Sequence, residues 1–276
     1  MRILNQTYTL SNGVKMPKIG LGTWQMSDDD GYRAVLHALK HGYRHIDTAA
    51  GYQNEAAVGR AIRESGIPRE EIFVTSKLES HIKTYEGAKE AIEATLSALD
   101  IGAVDLFLIH APWPWSEMGK NCDEGNVDAW RAMEEAYRAG KFRAIGVSNF
   151  AVRDIENILA HSDTVPHVNQ IAYFIGLDND EIDAYCKEKG IQIVAYSPLA
   201  IGYALSNNQI VAMAEKYSVT PAQICIRYCL QKGTAPLPKS THAPRIEENA
   251  NVDFDIAPDD MKKLESIKGD PRRWDN

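Results

Sequence analysis

An eight-stranded parallel β/α barrel is the fold the sequence predicts, and three observations predict it. Strand-like apolar runs alternate with amphipathic helical stretches along the chain, and parallel neighbours need such crossovers. Eight units of this kind can be counted, the number that closes a barrel. The 276 residues, 44% hydrophobic, allow one large core, so a single domain over 1–276 is expected. An open doubly wound sheet competes with this reading. Its dinucleotide turn needs three spaced glycines, and Gly20-Leu21-Gly22-Thr23-Trp24-Gln25 lacks the third.

The chain opens with a hairpin candidate, Gln6 to Leu10 and Val14 to Met16 around the turn Ser11-Asn12-Gly13, expected to cap the bottom of the barrel. The strand candidates follow: Ile19 to Thr23, His45 to Thr48, Ile72 to Lys77, Val104 to His110, Ala144 to Ser148, His167 to Ile171, Gln192 to Tyr196 and Ala235 to Pro238. Helical periodicity lies between them at Asp29 to Lys40, Glu55 to Glu64, Tyr85 to Leu99, Val127 to Arg138 and Val152 to Leu159. The stretch from Asn207 to Lys232 is helix-rich. A Pro/Trp-rich loop, Pro112 to Trp115, follows the fourth strand.

Charge and composition exclude several classes. Acidic residues outnumber basic ones, 38 against 30, and the formal charge of -8 comes with no basic block, which disfavours nucleic acid and anionic membrane as partners. No window approaches the ~18–20 apolar residues of a membrane span, and the N-terminus has no signal-like apolar stretch. Cys122, Cys186, Cys225 and Cys229 show no C-x-x-C spacing. A cytoplasmic protein is expected. His37 and His41, at i and i+4, lack the glutamate of an H-E-x-x-H motif and read as a helix surface; Cys225 and Cys229 read as a helix face in the core. No metal is expected.

In a β/α barrel the carboxyl ends of the strands carry the chemistry. Asp47, Lys77 and His110 close three consecutive strand candidates, so a barrel places them side by side. Tyr52 lies a few residues beyond Asp47, in a glycine-containing loop over the same rim. Taken singly, each has a structural reading: an ion pair, a core histidine, a packed tyrosine. Together they make a proton donor, in which a nearby ammonium lowers the phenol pKa and Asp47 keeps Lys77 protonated. His110 can donate to a carbonyl oxygen where charge develops. No hydride source is among them, so a nicotinamide cofactor must provide it.

These residues lie in segments that resemble the aldo-keto reductases along nearly the whole chain. Gly42-Tyr43-Arg44-His45-Ile46-Asp47-Thr48-Ala49-Ala50-Gly51-Tyr52-Gln53-Asn54-Glu55 resembles the family signature that holds the catalytic Asp and Tyr. Lys141 to Phe150 resembles a second signature. Leu237-Pro238-Lys239-Ser240-Thr241, followed by Arg245, Glu248 and Asn249, resembles the segment that grips the adenosine phosphate of NADPH. The resemblance implies that Ser148, Asn149 and Gln170 hold the nicotinamide carboxamide and that Tyr196 stacks on its ring. It further implies that Ser197, Pro198 and Leu199 cover the pyrophosphate, and that Glu248 and Asn249 contact the adenine. Lys239, Ser240 and Arg245, near a helix start, suit a 2'-phosphate, which favours NADPH over NADH. Without the resemblance, Ser148-Asn149 reads as a loop start with helix-capping value.

Trp24 and Trp113 are expected to wall a pocket for a small carbonyl substrate, and family precedent points to a monomer. The chain departs from the family at Ala111, where relatives often have Trp, and at Ala172, Phe174 and Ile175, where many have Glu, His and Pro. These departures bear on substrate preference. The tail beyond Lys268 is short, which suggests an open site similar to the microbial members that reduce small aldehydes, α-keto esters and 2,5-diketo sugar acids such as 2,5-diketo-D-gluconate. Two other readings remain: a Schiff-base lyase using Lys77, disfavoured by Asp47, and a non-enzymatic NADPH-binding redox sensor or accessory subunit.

Overall fold

Eight parallel strands form one sheet, each hydrogen-bonded to the next along the chain, in a computed structural model that describes residues 2–268. The tail on which the open-site expectation rested lies outside the described residues. The strands are β3 (Leu21–Gly22), β4 (His45–Asp47), β5 (Phe73–Leu78), β6 (Val104–Ile109), β7 (Phe142–Ser148), β8 (Val168–Ala172), β9 (Gln192–Tyr196) and β10 (Ala235–Leu237). Backbone hydrogen bonds join the last strand's neighbourhood to the first: Gly20 N donates to Pro236 O at 3.1 Å and Gly22 N to Pro238 O at 3.2 Å. The sheet thereby becomes a barrel. Glycine is required at this seam, since a Cβ on Gly20 would stand 2.7 Å from Leu237 Cδ2 and 2.8 Å from the His45 ring.

The helices begin where capping chemistry allows. Ser27 accepts from Asp30 N at the start of α1 (Asp28–Lys40), whose first turn carries three aspartates. The helices α2 (Glu55–Glu64), α3 (Tyr85–Leu99), α4 (Asp123–Arg138), α5 (Val152–Leu159) and α6 (Asp180–Lys189) then alternate with strands. Between β9 and β10 the helix-rich stretch resolves into α7 (Asn208–Tyr217) and α8 (Pro221–Gln231), the latter opened by a Thr220/Gln223 capping box with Pro221 at its first turn. The chain continues into α9 (Ala243–Ala250) and α10 (Pro258–Ser266).

Alternation along the strands builds two cores. Outward residues meet the helices in the larger one. Inward residues at the barrel bottom, including Phe73, Leu106, Leu108, Ala144 and Val194, pack with Leu10 and Met16 of the hairpin, β1 (Thr7–Thr9) and β2 (Lys15–Pro17). The hairpin therefore caps the bottom, as expected from the sequence. Asp105, 1% exposed, ties three strands there, accepting from Arg69 and Val74 N on one oxygen and Arg143 on the other. No helix among the described residues is long and apolar enough to cross a membrane.

Candidate active site

The period of two sets the first contacts of the site. On β4 and β5, Asp47 and Lys77 turn into the barrel, while Ser76 turns outward and donates to Glu55 of α2 at 2.5 Å. Lys77 is fully buried, and its three ammonium protons have three acceptors: Asp47 Oδ1 at 2.6 Å, Thr48 O at 2.8 Å and the Tyr52 hydroxyl at 3.4 Å. Its Nζ also stands 4.9 Å from the Tyr52 ring centroid. Burial acts to lower the Lys77 pKa, but attraction to Asp47 and Tyr52 outweighs it and holds the amine above its ordinary value. The amine is a locked cation.

Tyr52 is carried by a single helical turn, Ala50–Tyr52, and the chain then reverses at Gln53, whose φ is 58°. Asn54 fixes this loop: its amide donates to Thr23 O and Met26 O, and its oxygen accepts from the Thr48 hydroxyl at 2.7 Å. The phenol pKa is raised, because burial outweighs the downward pull of Lys77. This corrects the expectation of a lowered value. The phenol keeps its proton, and Lys77 limits how far burial can push it.

His110, one residue beyond β6, has its ring 5.6 Å from that of Tyr52, edge to face. Burial, followed by the Lys77 charge, lowers its pKa to about 3, so the imidazole is neutral. Its ring nitrogens have no hydrogen-bond partner among the described residues, and one of them carries a proton it can donate. The structure therefore gathers Asp47, Tyr52, Lys77 and His110 on one rim.

The next strands supply amides and hydroxyls. Gln170 of β8 donates from Nε2 to Asp47 Oδ2 at 2.7 Å, leaving its Oε1 as the atom able to accept from a carboxamide N–H. Ser148 donates to Gln170 O at 2.8 Å. Asn149, with φ of 61°, donates to His110 O and to the Ser148 hydroxyl, and accepts from Tyr196 at 2.7 Å. Burial pushes the Tyr196 phenol up to about 12. Ser148, Asn149, Gln170 and Tyr196 are thus one connected cluster beside Asp47.

Beyond β9, Ser197 takes a left-handed conformation and its carbonyl accepts from Ala200 N, with Pro198 and Leu199 inside this turn. The following segment leaves Ile201, Tyr203 and Leu205 exposed. Leu237 pairs with Tyr196 in the sheet, which brings the chain after β10 to the same rim. There Ser240 is buried and accepts from His242 N, while Lys239, Thr241 and Arg245 are exposed. Lys239 and Arg245 form no ion pair among the described residues, so both charges are available to an anion. Glu248 accepts from the Thr220 hydroxyl at 2.9 Å and Asn249 is buried. Side-chain amides beside Asp47 and the exposed cations Lys239 and Arg245 after β10 thus offer groups of the kind a nicotinamide dinucleotide would need.

The aromatic wall differs in one respect from its reading in the sequence. Trp113 is half-buried and reaches the imidazole only through Trp115, whose ring lies 5.0 Å from Trp113 and 5.8 Å from His110. Trp115, 46% exposed, is the residue missed. The signal was present in the alternating Pro112-Trp113-Pro114-Trp115. Trp24 is also 46% exposed, on the loop after β3.

Comparison with known proteins agrees with this geometry. The chain is 42% identical to the glyoxal reductase of Bacillus subtilis, covering 98% of this chain and 95% of that one. It is 38% identical to glycerol 2-dehydrogenase (NADP(+)) of Saccharomyces cerevisiae, over 96% and 92% of the two chains. Among solved structures, an aldo/keto reductase from Brucella melitensis superposes with a TM-score of 0.90 at 36% identity, over 96% of this chain and 98% of that one. The model of the aldo/keto reductase family matches residues 18–268, a span that holds every strand of the barrel and all the residues of the rim, and the chain belongs to that family.

Proposed function

We propose that this chain reduces aldehydes or ketones to alcohols with NADPH, using Tyr52 as the proton donor. The observation that carries the reading is the Lys77 ammonium held between Asp47 and the Tyr52 hydroxyl, with a neutral, unpartnered His110 beside it. The relatives named for glyoxal reduction and for an NADP(+)-linked dehydrogenase support it. When bound, the nicotinamide supplies the hydride. Ser148, Asn149, Gln170 and Tyr196 would hold its ring end, Ser197, Pro198 and Leu199 its pyrophosphate, Lys239, Ser240, Thr241 and Arg245 its 2'-phosphate, and Glu248 and Asn249 its adenine.

The chain's own residues then act on the carbonyl oxygen. His110 donates a hydrogen bond that orients it, and Tyr52 donates the proton as negative charge develops there. Lys77 stabilises the phenolate left behind, and Asp47 keeps Lys77 charged. The same raised amine pKa argues against a Schiff-base role, which needs a neutral nucleophile. Trp24, Trp113 and Trp115 would wall the substrate. All these residues come from one chain, so the reading needs no second subunit.

The test is NADPH oxidation, followed by absorbance, with glyoxal, methylglyoxal, an aromatic aldehyde and an α-keto ester. Tyr52→Phe is expected to lower turnover by roughly 10²–10⁴-fold while NADPH still binds. Full activity in that variant would remove Tyr52 from the chemistry. Tight NADPH binding without turnover on any carbonyl would favour a redox sensor.

A further inference from the structure

We infer that His37, His41 and Glu247 form a surface site for a divalent transition ion of the Zn2+, Co2+ and Ni2+ class. His37 and His41 stand one turn apart on α1, their rings stacked with centroids 4.0 Å apart. The sequence shows only this pair. The fold adds Glu247 from α9, 210 residues away from His37, and its Oε1 lies 2.9 Å from His37 Nε2 and 3.4 Å from His41 Nε2. The three ligand atoms all lie within 4.8 Å of one another. A tetrahedral ion with bonds of about 2.0–2.1 Å separates neighbouring ligand atoms by roughly 3.3 Å, so small side-chain rotations close the set around one ion.

The hydrogen bonding of His41 gives a second reason. His41 Nδ1 lies 2.8 Å from the His37 carbonyl oxygen, and a ring nitrogen can face a carbonyl only as an N–H donor. His41 Nε2 is therefore the ring atom left to ligate, and it faces the Glu247 carboxylate at 3.4 Å. A histidine whose other nitrogen donates to a backbone carbonyl is also the arrangement that fixes a ligating tautomer. Two imidazoles with one carboxylate suit zinc, cobalt or nickel, whereas magnesium and calcium take oxygen ligands.

The side chains are 25%, 36% and 49% exposed for His37, His41 and Glu247, which leaves a fourth position open to water. An ion there would link α1 to α9, the helix that carries Arg245, Glu248 and Asn249. The site itself does not depend on the proposed reductase activity.

The experiment uses the full chain, stripped with chelator, desalted and titrated with Co2+ at neutral pH. Visible absorbance reports coordination, Zn2+ serves as competitor and Mg2+ as control. One Co2+ per chain is expected, displaced by Zn2+ and not by Mg2+, with a Zn2+-dependent rise in Tm. His37→Ala and His41→Ala should each weaken uptake roughly tenfold or more, and the double variant should abolish both the uptake and the rise in Tm. Metal-free melts matching the parent protein keep folding out of the comparison. Absence of saturable uptake by the parent chain overturns the site, as does undiminished uptake by the double variant.

Discussion

Replacing Asp47 by asparagine tests whether the Lys77 charge is as desolvated as its geometry requires. The carboxylate serves two donors, Lys77 Nζ at 2.6 Å on one oxygen and Gln170 Nε2 at 2.7 Å on the other. An amide of the same shape has one oxygen, so either orientation turns its NH2 toward a donor. The Lys77 side chain is 0% exposed, and beside Thr48 O and Tyr52 it is left with a neutral amide in place of the carboxylate. Breaking a buried pair by removing one partner costs about 3–5 kcal/mol, and Asp47→Asn is expected to lose that much. Lys77→Met, which strands the carboxylate, should lose a similar amount. The double variant contains neither charge, so its loss should fall short of the sum by about 2–3 kcal/mol. Urea unfolding followed by circular dichroism, with m compared across the four proteins, reads these values. Additive losses within roughly 0.5 kcal/mol, or an Asp47→Asn cost below about 1 kcal/mol, would refute a desolvated pair.

Two further predictions follow from the same chemistry. Burial, with Lys77 adding to it, lowers both His45 and His110 to about 3, so below the ordinary value of ~6.5 the unfolded chain takes up two protons that the native chain refuses. Stability from these rings is present above ~6.5 and falls with pH toward about 3, at up to about 2.7 kcal/mol per unit, and equal urea midpoints at about pH 7 and pH 5 would contradict it. At the other end of the proposed cofactor site, Arg245→Ala is expected to weaken NADPH binding roughly tenfold or more with little change for NADH, because only NADPH brings a 2'-phosphate to a guanidinium with no ion-pair partner among the described residues. Fluorescence titration of both cofactors checks this, and an equal loss for the two would detach Arg245 from the phosphate.

The strands were legible because their signal is local. Apolar runs with polar closing residues placed all eight within a few positions, and the rule that strand ends carry the chemistry put Asp47, Lys77 and His110 together before any contact was known. Departures arise where packing replaces pattern. Helix α4 starts at Asp123, not Val127, because its first turn, Asp123-Glu124-Gly125-Asn126, shows no apolar period. Gly125 is set by contact, since a Cβ there would stand 2.6 Å from Lys83 O. Strand β3 shrinks to Leu21–Gly22 within the expected Ile19 to Thr23, at the seam where few residues find a regular ladder.

Contacts between distant segments were not legible, and they change what individual residues do. Gln170 was read as a cofactor ligand, yet one N–H of its amide is committed to Asp47, 123 positions away, which leaves its second N–H and its oxygen for a carboxamide. Tyr196 was read as a stacking ring, but its hydroxyl also donates to Asn149, whose own amide donates to His110 O. The residues expected to hold the nicotinamide and those expected to move the proton therefore share one hydrogen-bonded frame. A shift at Gln170 reaches Lys77 through the two oxygens of Asp47, and a shift at Tyr196 reaches the backbone of His110 through Asn149. On the proposed function, cofactor seating and proton donor geometry would be set by the same few bonds, so substitutions at Gln170 or Asn149 should disturb turnover even where they leave cofactor affinity intact.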